Sequence, residues 1–430
     1  MLFSKQVQTI GTENAFKVGA HITAVEKTGK KVIKCNIGEP DFPTPVHIRE
    51  EVKKHLDLDH THYCDPQGIP PLREAIARHI AHTRNIEVTA DRVVVFPGAK
   101  PPIGLSVQAY VNPGEEVIYP SPGFPIYESF AVYCGAKPVP LHLDEAKDFS
   151  FDGEDIERLI TPKTKLIFLN FPSNPTGGVA TKEQIERIAK VIQEKCSPDV
   201  RVYSDEVYED IVFDGFAHYS IASVPGMEKR TIIATGASKS YSWTGGRLGW
   251  AVFPTVEEAQ MFKTLNINYF SCVPPYSQYG AIAALESPES IKSIATMLSA
   301  FQERRDIVVA GLNAISGIHC CKPQGAFYVF PNIGGVCESL GAVAAYTALS
   351  TEKRVKTSPS TLFQMFLLYR YQVAVMDRKS FGLIGTEGKH FLRLSIATGT
   401  DDLKEAVKRI GLAAQDAKGF QEFLKEGPLY

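Results

Sequence analysis

Lys239 and Arg247 are the two cationic side chains of this 430-residue chain whose setting first suggests chemistry. A β-branched apolar run breaks at Gly236, just before Lys239, and a second apolar run starts at Leu248. This pattern places the lysine in a loop at the end of a buried strand. A lone lysine there is usually solvated. A glycine-flanked arginine nearby adds a group suited to phosphate, beside an amine that can act as nucleophile or carry protons.

Asp205 and Arg393 stand at two further predicted strands. Asp205 follows the apolar run 200–204, and carboxylates at strand ends lie in the crevice where open α/β sheets bind ligands. An acidic residue after a strand is also an ordinary feature of helix N-termini. Arg393 lies within the apolar run 391–397, where a charge is costly unless paired. Its partner is either a ligand carboxylate or an internal Asp or Glu.

The turn from Gly98 through Ala99 to Lys100 follows the short apolar run 93–96 and precedes a helix that begins with two prolines. Such a turn directs free N–H groups at one point, which attracts phosphate. Strand–glycine–helix turns are common in α/β folds, so this signal alone is weak.

Four other residues have an ordinary structural interpretation beside a functional one. Gly38 lies in a proline-rich segment that also fits a linker, and Asn174 lies in a string that is plain turn chemistry. Phe124 suits the face of a flat ring but also a hydrophobic core, and Tyr63 suits half-buried packing.

Seven strings, taken in order, resemble the motifs of fold-type I pyridoxal-phosphate enzymes of aminotransferase class I/II, which are aspartate aminotransferase-like. The strings are NIGEPDF, YCDPQGIPPLREAIA, SNPTGG, DEVY, SKSYSWTGGR, PQGAFY and RLSIATG. Each string alone is weak evidence for the resemblance. Their joint occurrence from Gly38 to Arg393 covers nearly the whole chain.

The resemblance implies the cofactor pyridoxal 5′-phosphate and a catalytic set of Lys239, Asp205 and Tyr208. In the family the lysine binds the cofactor covalently and moves the substrate proton, and the aspartate faces the ring nitrogen. The implied phosphate contacts are Gly98, Ala99, Lys100, Ser238, Arg247 and, across a dimer interface, Tyr63. The implied ring contacts are Phe124, Asn174 and Tyr208, and the implied substrate contacts are Gly38, Asn174 and Arg393.

The fold expected is α/β. Strands and helices alternate between residues 90 and 253, which argues for a parallel sheet with helices on both faces. The resemblance implies a large cofactor-binding domain, residues 46–299, and a smaller α+β domain from residues 1–45 and 300–430. A long helix near residues 290–315 is expected to bridge the two.

Composition narrows the function classes. A net charge of −2 lacks the excess of basic residues that favours binding to nucleic acid or membrane surfaces. A content of 44% hydrophobic and 22% charged residues is typical of globular proteins. No apolar run approaches the roughly 20 residues that span a bilayer, and the N-terminus lacks the core of a signal peptide. Eight scattered cysteines without paired Cys/His spacing predict reduced thiols in the cytoplasm and no metal site.

The reaction implied is transfer of an amino group between an L-amino acid and a 2-oxoacid by a homodimer with shared sites. A β-eliminating C–S lyase on the same fold is one alternative. The other is a non-enzymatic sensor domain, disfavoured because no DNA-binding domain fits before Gly38.

Aspartate specificity is left open beside broad specificity, because residues 377–381 read DRKSF where relatives commonly carry a proline–glycine turn. One hypothesis is that Arg378 and Lys379 receive a distal substrate carboxylate. The alternative is a surface pair between Asp377 and one of them.

Overall fold

Twelve short strands are formed by the residues that the computed structural model describes, 2–11 and 14–426. In chain order they are β1 (Ile33–Lys34), β2 (Val93–Phe96), β3 (Glu116–Ser121), β4 (Lys137–His142), β5 (Thr164–Asn170), β6 (Arg201–Asp205), β7 (Thr231–Gly236), β8 (Gly249–Val252), β9 (Tyr328–Val329), β10 (Val373–Ala374), β11 (Met376–Asp377) and β12 (Leu392–Ser395).

Seven of these strands form the central sheet, in the order β2-β8-β7-β6-β5-β3-β4. Strands β3 to β7 pair in parallel, and β8 is antiparallel to both β7 and β2. The mostly parallel sheet is therefore confirmed. The exception is β8, because the chain turns back through the loop that carries Lys239.

Both faces of the sheet are buried under helices. Val94 and Phe96 of β2 enter one hydrophobic core, whereas Val93 and Val95 enter another. This is the two-residue alternation of a strand that is covered on both sides.

The helices are α1 (Asn14–Glu26), α2 (Val46–Asp57), α3 (Pro70–Arg84), α4 (Pro101–Tyr110), α5 (Ile126–Tyr133), α6 (Gly153–Glu157), α7 (Lys182–Lys195), α8 (Ala237–Ser240), α9 (Val256–Phe270), α10 (Pro275–Glu286), α11 (Pro288–Asn313), α12 (Gly334–Ser339), α13 (Ala342–Thr347), α14 (Thr351–Lys356), α15 (Pro359–Tyr371), α16 (Thr400–Gln415) and α17 (Ala417–Glu426). Prolines occupy the first turn of α3 and α4, where a missing N–H costs nothing. Thr181 and Gln184 form a reciprocal capping box before α7.

Within the described residues no helix combines the length and hydrophobicity that a membrane span requires.

A second group of elements packs beside the central sheet. Strands β11, β12 and β9 form an antiparallel sheet, and β1 pairs in parallel with β10. One hydrophobic core joins Ile33 of β1 to Phe301 of α11 and Phe366 of α15. The predicted division of the chain at 45/46 and 299/300 stays a prediction, and its second boundary falls inside the continuous helix α11.

Candidate active site

A cavity of about 560 Å³ opens at the carboxyl ends of β5, β6 and β7. Strand register places Asn170, at the end of β5, beside Asp205, at the end of β6. Eleven of the thirteen residues predicted from the sequence line this cavity: Gly38, Ala99, Lys100, Phe124, Asn174, Asp205, Tyr208, Ser238, Lys239, Arg247 and Arg393.

Lys239 is positioned by a close approach of two backbones. A Cβ on Gly236 would lie 2.8 Å from the Cα of Gly249 and from the carbonyl oxygen of Leu248, so only glycine lets β7 pass β8 here. The four-residue helix α8 follows at once. Lys239 Nζ donates to the Gly38 carbonyl at 2.5 Å.

Asp205 is a buried carboxyl at the edge of the cavity. Its Oδ2 accepts a hydrogen bond from the Tyr127 hydroxyl at 2.6 Å. The Val207 amide approaches the carboxyl, yet no group of the described residues meets hydrogen-bond geometry at Oδ1. Burial raises the pKa of Asp205 to about 6, and the hydrogen bond from Tyr127 and the nearby Val207 amide oppose that rise.

The Gly98 turn and Arg247 form one end of the cavity. Gly98 has φ +98°, and a Cβ there would lie 2.4 Å from Arg247 Nη2. A Cβ on Gly249 would lie 2.4 Å from the Ala99 amide nitrogen. The guanidinium also donates to the Pro97 carbonyl at 3.2 Å. The backbone amides of Ala99 and Lys100, just before α4 and beside this arginine, suit an anion.

Arg393 lies at the opposite end, on β12. Its guanidinium carbon is 4.5 Å from the ring centroid of Tyr328 and 4.9 Å from that of Phe381. Two of its hydrogen bonds go to neutral oxygens, the Asn36 carbonyl at 2.5 Å and Asn174 Oδ1 at 3.2 Å. The second bond fixes the Asn174 side chain with its oxygen toward the arginine.

Two aromatic residues complete the predicted set. Phe124 meets the ring of Tyr127 edge-on at 5.8 Å, and Lys100 Nζ is 5.6 Å from the Phe124 centroid. Tyr208 shares a hydrogen bond of 2.8 Å with the hydroxyl of Tyr328. Burial raises the pKa of Tyr208 well above its usual value, so it stays a neutral donor.

Two predicted residues lie off the cavity lining. Gly98 sits behind it, against Arg247. The side chain of Tyr63 is 88% exposed, on the loop between α2 and α3, where this chain alone gives it no contact with the cavity.

The hypothesis about Arg378 and Lys379 is wrong in this structure, because neither lines the cavity. Arg378 is buried and donates to Ser121 Oγ and to the Phe381 and Gly382 carbonyls. Lys379 donates to carbonyls at and just after the end of α14, among them that of Thr357 at 3.2 Å. The surface-pair alternative is wrong too, because Asp377 is buried and accepts from Ser380 and Thr361.

Sequence reasoning missed three residues of the site. Tyr127 binds Asp205, Tyr328 binds Tyr208 and flanks Arg393, and Asn170 joins two strand ends. Asn170 Nδ2 donates to the Asp205 carbonyl at 3.1 Å, and its Oδ1 accepts from the Asn174 amide at 2.9 Å. A polar residue at the end of a predicted strand was the signal that pointed to Asp205, and the same signal applies to Asn170.

Comparison with known proteins gives a consistent picture. The sequence profile of the family described as "Aminotransferase class I and II" matches residues 30–410. The chain is 35% identical to an aspartate aminotransferase of Rhizobium meliloti over 95% of each sequence. It is 35% identical to aromatic-amino-acid aminotransferase 2 of Thermococcus litoralis, over 90% of this chain and 92% of that one. A crystal structure of the aspartate aminotransferase from Rhizobium meliloti superposes with a TM-score of 0.85 at 33% identity, covering 96% of this chain and 99% of that one.

Proposed function

The chain belongs to the class I and II aminotransferases, and on that premise we propose that it moves amino groups with pyridoxal 5′-phosphate held in the cavity around Lys239. One observation carries the proposal. The buried carboxyl of Asp205, whose Oδ1 accepts from no group of the described residues, lines the same cavity as a lysine amine at the end of the neighbouring strand. A protonated pyridine nitrogen would satisfy that oxygen and favour the ionised carboxylate.

The residues present fit the other parts of this cofactor. The amides of Ala99 and Lys100, with Ser238 and Arg247, would hold the phosphate. Phe124 would lie against the ring, and the Asn174 amide nitrogen and the Tyr208 hydroxyl would bind its phenolate oxygen. The Asn174 oxygen is already engaged by Arg393, which leaves the amide nitrogen to donate.

When bound, the cofactor supplies an electron sink that lets the bond between the substrate α-carbon and its hydrogen break. Lys239 would carry the proton from the α-carbon and return it, as general base and then general acid. Asp205 would hold the positive charge of the ring nitrogen in place. Since the carboxyl is buried, this pairing works in a medium of low dielectric, where it is stronger than in water.

Arg393 would orient the substrate by its α-carboxylate. A planar guanidinium binds a carboxylate through two parallel hydrogen bonds, and the rings of Tyr328 and Phe381 pack against this one. Fixing the carboxylate fixes which bond of the α-carbon is labile, which is a contribution of orientation.

For the amino donor we propose aspartate within a broader set. Lys100 is an exposed cation on the cavity lining, and it would attract a distal carboxylate. Ile37, Ile103 and Met376 line the same cavity and would accept an apolar side chain.

We also propose a homodimer in the cytoplasm. The exposed aromatic side chains of Tyr63, Tyr269 and Phe270 suit an interface, and isologous dimers are the commonest assembly. The partner subunit's Tyr63 would then bind the cofactor phosphate. All eight cysteines are unpaired, as expected of a reducing compartment.

Two experiments test the proposal. Borohydride reduction followed by peptide mapping should find the cofactor on Lys239, and an adduct on another lysine would contradict the assignment. A panel of amino donors, including aspartate and leucine, against 2-oxoglutarate and pyruvate should show turnover that requires the 2-oxoacid. Turnover without an amino acceptor would indicate a lyase instead.

A further inference from the structure

Potential metal ligands cluster at the junction between the turn after β4 and the segment before β9. The side chains of Glu145, His319 and Cys321 each place one ligand atom within 4.8 Å of the others. The thiol of Cys321 donates to the backbone carbonyl of Glu145 at 3.6 Å, and the carboxylate of Asp148 lies near that thiol. None of these residues lines the active-site cavity. We propose that they bind a zinc ion.

The donor types select the metal. A thiol sulfur, an imidazole nitrogen and carboxylate oxygens are the ligands that structural Zn²⁺ takes, whereas Mg²⁺ and Ca²⁺ prefer oxygen alone. Zinc–ligand bonds of about 2.0–2.3 Å in a tetrahedron put donor atoms roughly 3–4 Å apart. To enclose the ion, the longest separation in the cluster has to shorten by about 1 Å, and the 2.7 Å contact between Glu145 Oε1 and His319 Nδ1 has to lengthen.

The local charge balance also favours a cation. Among the described residues, no lysine or arginine forms an ion pair with Glu145 or Asp148, and the partner of Glu145 is His319. The neighbouring lysines are engaged elsewhere, Lys147 with Asp155 and Lys322 with Asp214. A divalent ion would neutralise the two carboxylates.

A surrounding framework already orients two of the ligands. Asn332 Nδ2 donates to Glu145 Oε2 at 2.8 Å, and the backbones of His319 and Asn332 exchange hydrogen bonds of 3.0 and 2.7 Å. Hydrogen bonds of this kind, outside the ligands themselves, fix ligand geometry in metal sites. Here they leave Glu145 Oε1 facing His319 Nδ1 at 2.7 Å, and the ion would replace that contact.

The site would join two parts of the fold. Glu145 and Asp148 belong to the turn that follows the edge strand β4 of the central sheet, and His319 and Cys321 lead toward β9 of the second sheet. Glu145 and His319 are 174 positions apart, so no spacing motif in the sequence reveals the cluster. A bound ion would restrain this junction and stabilise the folded chain.

Equilibrium dialysis of the holoenzyme against zinc alone tests the proposal, with Mg²⁺ as competitor. We expect about one zinc per chain, undisplaced by Mg²⁺, and a raised unfolding temperature. Cys321→Ser and His319→Ala should each weaken binding by at least roughly tenfold, since even residues outside the ligand set cost about 10–100-fold. Cys134→Ser, at another half-buried cysteine, should bind zinc like the native chain.

A second measurement needs no variant. Zinc should slow alkylation of Cys321 in the native holoenzyme, followed by mass spectrometry, and should leave Cys134 unaffected. The proposal is overturned if native protein shows no saturable zinc binding, if either ligand variant binds zinc as tightly as the native chain, or if zinc does not protect Cys321. Retained aminotransferase activity in both variants shows that they are folded.

Discussion

The cavity has two walls that are built in opposite ways. The cofactor wall, named for its proposed role and defined as Ala99, Asn174, Asp205, Lys239 and Arg247, comes from the ends of central-sheet strands and the segments that join them to the next element. The substrate turn, residues 376–381, lies in the second group of elements and contributes Met376, Ser380 and Phe381 to the same cavity. Backbone geometry shapes the first wall, whereas buried charged side chains hold the second.

Close contacts at glycines explain why the cofactor wall could be predicted from the sequence. A Cβ at Gly98 would strike Arg247, and one at Gly249 would strike the Ala99 amide, each at 2.4 Å. Such contacts admit no residue other than glycine without movement. A glycine beside each functional group therefore marks these positions in the sequence. This is why motifs could locate the cofactor wall.

The substrate turn depends on partners far away in the chain. Arg378 donates to Ser121 Oγ at 3.0 Å across 257 positions, and Asp377 accepts from Thr361 on α15. Lys379 donates to the Thr357 carbonyl. The cofactor wall could therefore be predicted from local sequence, whereas the supports of the substrate turn are set only by tertiary packing.

The largest effect is expected from the cofactor wall. Lys239→Ala removes the amine that we propose binds the cofactor and carries the substrate proton, so kcat should fall by about 10⁴-fold. Steady-state assays with aspartate and 2-oxoglutarate measure this, with Lys190→Ala on the surface of α7 as control. A variant that keeps a tenth of native activity would remove Lys239 from its proposed role.

A smaller effect with a pH signature is expected from Tyr127→Phe. The tyrosine donates to the ionised form of Asp205, so its loss should raise the pKa of Asp205 above the value of about 6 that burial already imposes. A charge-assisted hydrogen bond contributes about 1.5–3 kcal/mol, so we expect kcat to fall by roughly tenfold or more.

Stability of the cofactor-free protein should show the same shift. The folded chain holds the Asp205 proton more tightly than the unfolded chain. The free energy of unfolding should therefore fall as pH rises from the ordinary pKa of an aspartate, 3.8, to the folded-state pKa of about 6. In Tyr127→Phe that fall should extend to higher pH, and in Asp205→Asn this contribution should vanish. Urea titrations across this range measure it; identical profiles for all three chains would refute it.

The substrate turn should respond differently. Arg378→Met leaves the Gly382 carbonyl and Ser121 Oγ without their donor, which should cost about 1–3 kcal/mol of unfolding free energy. Because Phe381 flanks Arg393, kcat/KM should fall by roughly tenfold for aspartate and leucine alike. Lys389→Met, in the segment that follows, should change neither. A selective loss of aspartate activity would return Arg378 to the substrate pocket.

Some features of the fold and the site could be predicted from local sequence, whereas others depend on tertiary packing. The alternation of strands and helices and the strand-end positions of Asp205 and Lys239 followed from apolar runs and the residues that end them, because local periodicity determines strands. Tyr127 was missed because nothing in its neighbourhood says which face of α5 meets β6. The neighbouring strands β10 and β11 pair with different partners, which local sequence does not reveal. Glu145 and His319 meet only through tertiary packing.

The smallest effect is expected at Lys100, beside the cofactor wall, and concerns the preference for aspartate over leucine as amino donor. Lys100 gives its amide to the proposed phosphate site, and its exposed side chain lies over Phe124 at 5.6 Å. An exposed charge pair contributes only about 0–1 kcal/mol, so Lys100→Met should lower the ratio of kcat/KM for aspartate to that for leucine by at most about fivefold. Salt screens such an interaction, so raising ionic strength should bring the native ratio toward that of the variant. If the ratio stays constant in the variant and in salt, the distal carboxylate is recognised elsewhere, and the apolar lining alone then sets the preference.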